Sequence, residues 1–215
     1  MPALTLYTNP QSRGRIARWM LEETGQPYET VVVDYGPAMK AHDYRAINPM
    51  GKVPALKIGD TVVTEVPAIL ATLADAFPDA GLAPPPAERG AYYRWLFFAA
   101  GPLEAAITNR ALGVTVPPEK QGFVGYGDFD RVMDTLAAAV AGRTFIAGDR
   151  FTAADLYVAS HLSFGLMFKS IPERPEFVAY VQAHAGRPAR VRANAADDAL
   201  IAAATAGAAP SQAGS

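Results

Sequence analysis

The chain has 215 residues, half of them hydrophobic and 19% charged, the composition of a globular protein with a full core rather than a disordered or fibrous chain. Nineteen Lys and Arg against 21 Asp and Glu leave a net charge of −2, which argues against the broad basic face of a nucleic-acid binder. There is no cysteine, so disulfides, thiolate nucleophiles, Cys-ligated zinc and redox CxxC pairs are all excluded.

The opening MPALTLYTNP has neither a basic flank nor a long apolar run, so it does not read as a signal peptide. Ala3–Tyr7 is a short apolar strand ended by Thr8-Asn9-Pro10. From Gln11 to Thr24 the spacing puts Ile16, Ala17, Met20, Leu21 and Thr24 on one helical face, with Gly25 as the stop. Tyr28–Val33 is β-branched and reads as a buried strand, and residues 37–46 as a short helix. Pro54–Ile58 and Thr61–Thr64 flank Gly59-Asp60, a hairpin signal, and a helix follows from Glu65 to about Ala76. This β-α-β-α-β-β-α order predicts a small mixed sheet with helices on its faces.

Three consecutive prolines, Pro84 to Pro86, mark a stiff linker. Beyond them only helical patterns recur, over 87–112 with a kink at Gly101-Pro102, then 128–141, 153–168, 174–185 and 188–203. The most apolar stretch, Trp95 to Ile107, is too short and too broken by Pro102 and Glu104 to cross a membrane. Thr152-Ala153-Ala154-Asp155 is an acidic capping box flanked by Phe151 and Leu156, a structural signature. The predicted organisation is an α/β domain at 1–80, a Pro-rich linker at 81–87, an all-α domain at 88–203 and a disordered tail at 204–215.

Chemistry is constrained by what is missing. His42, His161 and His184 lie far apart without metal-ligand spacing, and no GxGxxG, P-loop or GxSxG motif occurs. Three places remain. In Tyr7-Thr8-Asn9-Pro10-Gln11-Ser12-Arg13, hydroxyls and an amide crowd a helix start, where N–H groups and the dipole favour an anion, although Ser12 also suits a plain helix cap. In Asn48-Pro49-Met50-Gly51-Lys52-Val53-Pro54, a proline at a strand start is a candidate cis bond that would turn the Val53 amide outward to pair with an extended peptide. Lys52 beside it could hold a carboxylate. In Thr64-Glu65-Val66-Pro67, Glu65 could accept an ammonium while the Val66 N–H receives a carboxylate. Together the three suit a short zwitterionic peptide bearing a thiol.

At these residues the chain resembles the cytosolic glutathione S-transferase family. LYTNPQSRGRIARWMLEETG, NPMGKVPAL and TEVPAILATLADAFP are similar to its thioredoxin-like domain, and RWLFFAAGPLEAAI and FTAADLYVA to its all-α domain. The resemblance implies glutathione as co-substrate, no metal, and thiolate attack on a small hydrophobic electrophile. It implies a cis Pro54, with Val53 pairing the cysteinyl backbone, Glu65 and Val66 at the γ-glutamyl end, and Lys40 or Lys52 near a carboxylate; Tyr7 and Arg13 join this binding set. Ser12 and Asn9 are the candidate thiolate donors, Ser12 favoured for its hydroxyl. Val66 stands where many members carry Ser, which removes one hydrogen bond, worth about 1.5–3 kcal/mol toward a charged group. Tyr92, Tyr93, Trp95, Phe97, Phe98, Phe164 and Phe168 are candidates for an electrophile pocket, with the core as the usual fate of helical aromatics. The resemblance also implies a two-fold dimer in the cytoplasm, without nucleic acid or membrane. The alternatives are a non-catalytic binding protein on the same fold, and a specialised glutathione-dependent isomerase, dehalogenase or ether-cleaving enzyme.

Overall fold

The computed structural model describes residues 2–207 and divides into two compact units, residues 2–72 with 187–207, and residues 73–186. In the first unit β1 (Leu4–Thr8), α1 (Gly14–Thr24), β2 (Glu29–Val32), α2 (Pro37–Lys40), α3 (His42–Ile47), β3 (Ala55–Ile58), β4 (Thr61–Thr64) and α4 (Val66–Ala76) follow in order. The four strands form one sheet in the order β2-β1-β3-β4. β1 and β2 run parallel, while β3 is antiparallel to both β1 and β4. This is the mixed sheet that the β-α-β-α-β-β-α pattern predicts.

Alternation along β1 decides both faces. Leu4, Leu6 and Thr8 are buried, as are Ile16, Ala17, Met20 and Leu21 of α1, which packs on this strand. Tyr7, with the opposite parity, joins Val33, Met39, Tyr44, Ile47 and Val53 in a second cluster. α1 stops at Gly25, whose φ of 67° is the left-handed conformation glycine tolerates best. β2 departs from expectation. All four of its residues are exposed, because it is the sheet's edge strand rather than a central one.

The first unit also recruits α10 (Pro188–Gly207), which packs along α1. The two helices carry opposed charge gradients. Arg187 grips Glu23 through two hydrogen bonds of 2.7 and 2.8 Å, and Arg192 meets Glu22 at 2.8 Å. At the other end Arg15 pairs with Asp198, and Arg18 with Asp197 at 2.9 Å. The Arg18–Asp197 pair is buried, at 3% and 1% side-chain exposure, and Arg18 also donates to Tyr28 and Thr30 hydroxyls. Burial pushes the Asp197 carboxyl above its ordinary range in spite of the arginine's pull. α10 runs through residues 204–207, where the sequence predicts a disordered tail; the rest of that tail lies outside the described residues.

The second unit is helical among the described residues. α5 (Gly90–Phe98) passes through a π-helical segment, Ala99–Leu103, into α6 (Glu104–Ala111); α7 (Phe129–Val140), α8 (Ala153–Met167) and α9 (Pro175–Ala185) follow. The widened turn sits at the expected Gly101-Pro102 kink, where proline has no N–H to give. α8 is apolar on every side and buried from Ala153 to Leu162, the mark of a central helix. Its cap is a hub. Asp155, fully buried, accepts from the N–H groups of Thr152 (2.8 Å) and Ile146 (2.7 Å) and from the Tyr180 hydroxyl (2.7 Å). Phe151 and Leu156 are buried beside it, as a hydrophobic staple requires. No described helix is long and apolar enough to cross a membrane, and no described group of three or more His, Asp or Glu could hold a metal ion.

Candidate functional site

Strand register brings the three predicted segments together. Ala55 at the start of β3 stands opposite Tyr7 near the end of β1 and opposite Thr64 at the end of β4. The loop after β1, the Val53-Pro54 pair before β3 and Glu65 after β4 therefore leave the sheet at the same end. The Val53-Pro54 bond is cis, and Pro54 is buried while Val53 is half-buried.

The first loop is knitted by its own side chains. Asn9 is buried; its Nδ2 donates to the Val33 carbonyl (3.1 Å) and its Oδ1 accepts from the Gln11 N–H (3.0 Å). It fastens the loop to the chain beyond β2. Ser12 Oγ donates to the Asn9 carbonyl (2.7 Å) and accepts from the Gly14 N–H (2.9 Å), so its hydroxyl satisfies one of the first N–H groups of α1. Arg13, exposed, occupies the position just before α1. Gly14 has a steric reason to be glycine: a Cβ there would lie 1.8 Å from Thr8 Oγ1.

The second loop rests on residues that sequence reasoning did not single out. Tyr44 O–H (2.7 Å) and Asn48 Nδ2 (2.8 Å) both donate to the Lys52 carbonyl, and Asn48 Oδ1 accepts from Met50 N–H (3.1 Å). Asn48 opens the second predicted segment without a role there, and Tyr44 lies outside it. Lys40 Nζ donates to the Gly51 carbonyl at 2.8 Å, so this candidate carboxylate partner also braces the loop. The Lys52 side chain is exposed. Tyr7 is half-buried with its ring 6.2 Å from that of Tyr44, whose hydroxyl is pushed up to about 12 by burial first and by Tyr7 second.

At the third segment Glu65 is exposed with φ of 65°, a left-handed conformation that costs a non-glycine residue about 1–3 kcal/mol. Its carbonyl accepts from Ile69 N–H at 2.9 Å, opening α4. Val66 follows with its side chain 6% exposed, part of the core. Its N–H, at the first helical position, has no acceptor within α4.

Comparisons with known proteins decide the family. Residues 13–76 match the model of the glutathione S-transferase N-terminal domain, and residues 126–188 that of the C-terminal domain. A glutathione S-transferase of Escherichia coli O157:H7 is 30% identical over 86% of this chain and 94% of its own. The chain belongs to the glutathione S-transferase family. Glutathione S-transferase 3 of Zea mays is 32% identical over 88% of this chain and 92% of its own. Among solved structures, a glutathione transferase from Methylococcus capsulatus superposes with a TM-score of 0.75 at 30% identity, covering 92% of this chain and all of that one. A sphingomonad glutathione S-transferase complexed with glutathione gives 0.72 at 28% identity, covering 90% and 98%.

Within this glutathione S-transferase every residue that the sequence suggests for glutathione falls in the first unit. The aromatic set of the second unit splits. Tyr92 and Trp95 are core, whereas Tyr93, Phe97 and Phe168 are exposed, and Phe98 and Phe164 lie between. Tyr93 and Phe97 neighbour each other with ring centroids 6.4 Å apart, as do Phe164 and Phe168 at 6.5 Å.

Proposed function

We propose that the end of the sheet bearing Ser12, Val53-Pro54 and Glu65-Val66 binds glutathione, and that the bound thiolate attacks a small hydrophobic electrophile. The observation that carries this reading is the register: Ala55, abreast of both Tyr7 and Thr64, sets an amide-pairing segment between a hydroxyl-bearing helix start and a carboxylate. Val53 would pair with the cysteinyl backbone. Glu65 would take the ammonium and the Val66 N–H the carboxylate at the γ-glutamyl end, with Lys40 or Lys52 near the other carboxylate.

Ser12 is the proposed thiolate donor. Its hydroxyl proton, directed at the Asn9 carbonyl, turns toward sulfur when the thiol loses its own proton. A depression of the thiol pKa by two units needs about 2.7 kcal/mol, within reach of such a donor at a helix start. Asn9 is the lesser candidate, since both ends of its amide already serve the loop. As for the family, a two-fold dimer in the cytoplasm is the proposed working form.

A second reading has one observation in its favour. The side chains of Ser12 and Asn9 hydrogen-bond to backbone groups of the chain itself, an arrangement that also suits a binding protein without turnover. Calorimetric titration with glutathione, followed by a conjugation assay on a generic aryl halide, separates the two. Heat with turnover supports the enzyme, heat without turnover the binding protein, and no heat overturns both.

A further inference from the structure

Among the ion pairs that tie α1 to α10 and to Arg187 just before it, Arg15–Asp198 reaches the loop between β1 and α1. Arg15 Nη2 meets Asp198, but Arg15 Nε donates to the main-chain carbonyl of Pro10 at 2.7 Å. Pro10 is buried in the loop between β1 and α1, between Asn9 and Ser12. One guanidinium thus joins the last described helix to that loop. Of the other pairs, Arg187 just before α10 meets Glu23, Arg192 meets Glu22, and Arg18 of the Arg18–Asp197 pair reaches the Tyr28 and Thr30 hydroxyls.

We propose that Asp198 and Arg15 are positioning residues for the thiolate donor. The inference rests on Ser12 serving as that donor. Ser12 Oγ donates to the Asn9 carbonyl at 2.7 Å, and Ser12 N–H donates to the same oxygen at 3.1 Å. The Ser12 hydroxyl redirects its O–H from that carbonyl to a sulfur by rotation about its own Cβ–Oγ bond, the proton staying on oxygen, and a fixed Pro10-Gln11 peptide keeps that oxygen in place. Arg15 fixes it at the Pro10 carbonyl, and Asp198 fixes Arg15. A planar guanidinium with several donors holds a carbonyl and a carboxylate at once in a set geometry; a single ammonium on a flexible stem does not. Asp198 lies 183 residues from Arg15 in sequence, and its hydrogen bond goes to Arg15, which is not among the candidate glutathione residues.

The test compares Asp198→Ala, Asp198→Glu and Arg15→Lys with Arg192→Gln, which breaks another α1–α10 pair without reaching the loop. Four readouts are taken: thermal midpoint, glutathione affinity, thiolate absorbance against pH, and kcat with an aryl halide. Amide hydrogen exchange at Gln11 to Gly14 is followed in the same proteins. Asp198→Ala and Arg15→Lys should lower kcat about threefold, in keeping with a partly exposed pair. They should raise the bound thiol's pKa by about half a unit, speed exchange in the loop, and change affinity less than about twofold. Asp198→Glu should restore most of the loss. Arg192→Gln should lower the thermal midpoint alone. If Asp198→Ala and Arg15→Lys also change only the thermal midpoint, the proposal is overturned. A wild-type protein that shows no thiolate band would defeat the functional reading instead, and loop exchange would still decide whether Asp198 holds Pro10.

Discussion

The Ser12 hydroxyl points its proton at the Asn9 carbonyl, 2.7 Å away, while receiving the N–H of Gly14 at 2.9 Å. The same oxygen therefore serves as a helix cap and as the proposed thiolate donor, and the two roles separate by measurement. Ser12→Ala should cost about 0.5–2 kcal/mol of stability as a lost cap and should also raise the pKa of bound glutathione. Asn9→Ala strips the buried Val33 carbonyl and the Gln11 N–H of partners, so about 1–3 kcal/mol of stability should go with little change in that pKa. Thiolate absorbance against pH and urea unfolding of both variants check the pair; a pKa shift in Asn9→Ala alone would reverse the assignment.

Glu65 holds a left-handed φ of 65° that its side chain disfavours. Glu65→Gly should stabilise the fold by about 1 kcal/mol, because glycine adopts this conformation freely. Glutathione affinity should nevertheless fall at least about tenfold, the loss of one charged contact. Glu65→Ala should lose the affinity without the gain in stability. Urea midpoints and calorimetry of the two variants distinguish strain from function.

Gly14 and Thr8 leave no room for one more methyl group. Gly14→Ala sets a Cβ 1.8 Å from Thr8 Oγ1, and should cost about 1–3 kcal/mol as an overpacked site. In a Thr8→Ala background the penalty should shrink, since the nearest atom is gone. A double-mutant cycle in urea gives the coupling; additive losses would show that the helix start shifts instead.

Asp155→Ala should be the most destabilising of these changes. It leaves Thr152 N–H, Ile146 N–H and the Tyr180 hydroxyl without their acceptor, at about 1–3 kcal/mol for each buried group. The variant should melt far earlier or fail to accumulate. Asp155→Asn retains an acceptor and should recover part of the loss in thermal unfolding.

Alkaline stability should depend on Tyr44. Its hydroxyl ionises near 10 in the unfolded chain and only near 12 in the fold, where burial opposes the phenolate. The unfolded chain loses its proton first, so the contribution is whole below pH 10 and is lost as the pH rises through 12. Tyr28, raised to about 12 chiefly by burial, acts in the same direction. Urea titrations from pH 9 upward should show a shallower decline for Tyr44→Phe than for wild type, and shallower still with Tyr28→Phe added.

Local chemistry made much of this molecule readable. Gly25 as the stop of α1, the Gly59-Asp60 hairpin, the kink at Gly101-Pro102 and the Thr152–Asp155 box are each decided within a few residues, and each stands where the pattern puts it. The cis Val53-Pro54 bond was only a candidate on local grounds and an implication of the family resemblance. What could not be read depends on distance along the chain. Tyr28–Val33 has the composition of an interior strand, but edge or centre is settled by sheet order, so β2 lies open. The bracing of Gly51 by Lys40, of Lys52 by Tyr44 and of Pro10 by Arg15 is local, but it runs through loops whose path no periodicity encodes, whereas Asp198 reaches Arg15 across 183 residues. Val66, which the resemblance sets where many members carry Ser, has a buried side chain, a fact of packing that the sequence pattern did not supply.

Because α10 belongs with the β-sheet, the helical unit at 73–186 interrupts the other in sequence. On a ribosome this imposes an order. The strands and α1 emerge early, yet Arg18 has no Asp197 to meet, and Pro10 no anchored Arg15, until the nascent chain has delivered some 110 further residues and then α10. The helical insert can complete its own core around α8 during that interval. The sheet end bearing Ser12 and Val53-Pro54, translated first, is thus the last to be locked, and premature termination anywhere before Asp197 would release a chain whose α1 lacks the helix that covers it and the carboxylate that pairs with Arg18.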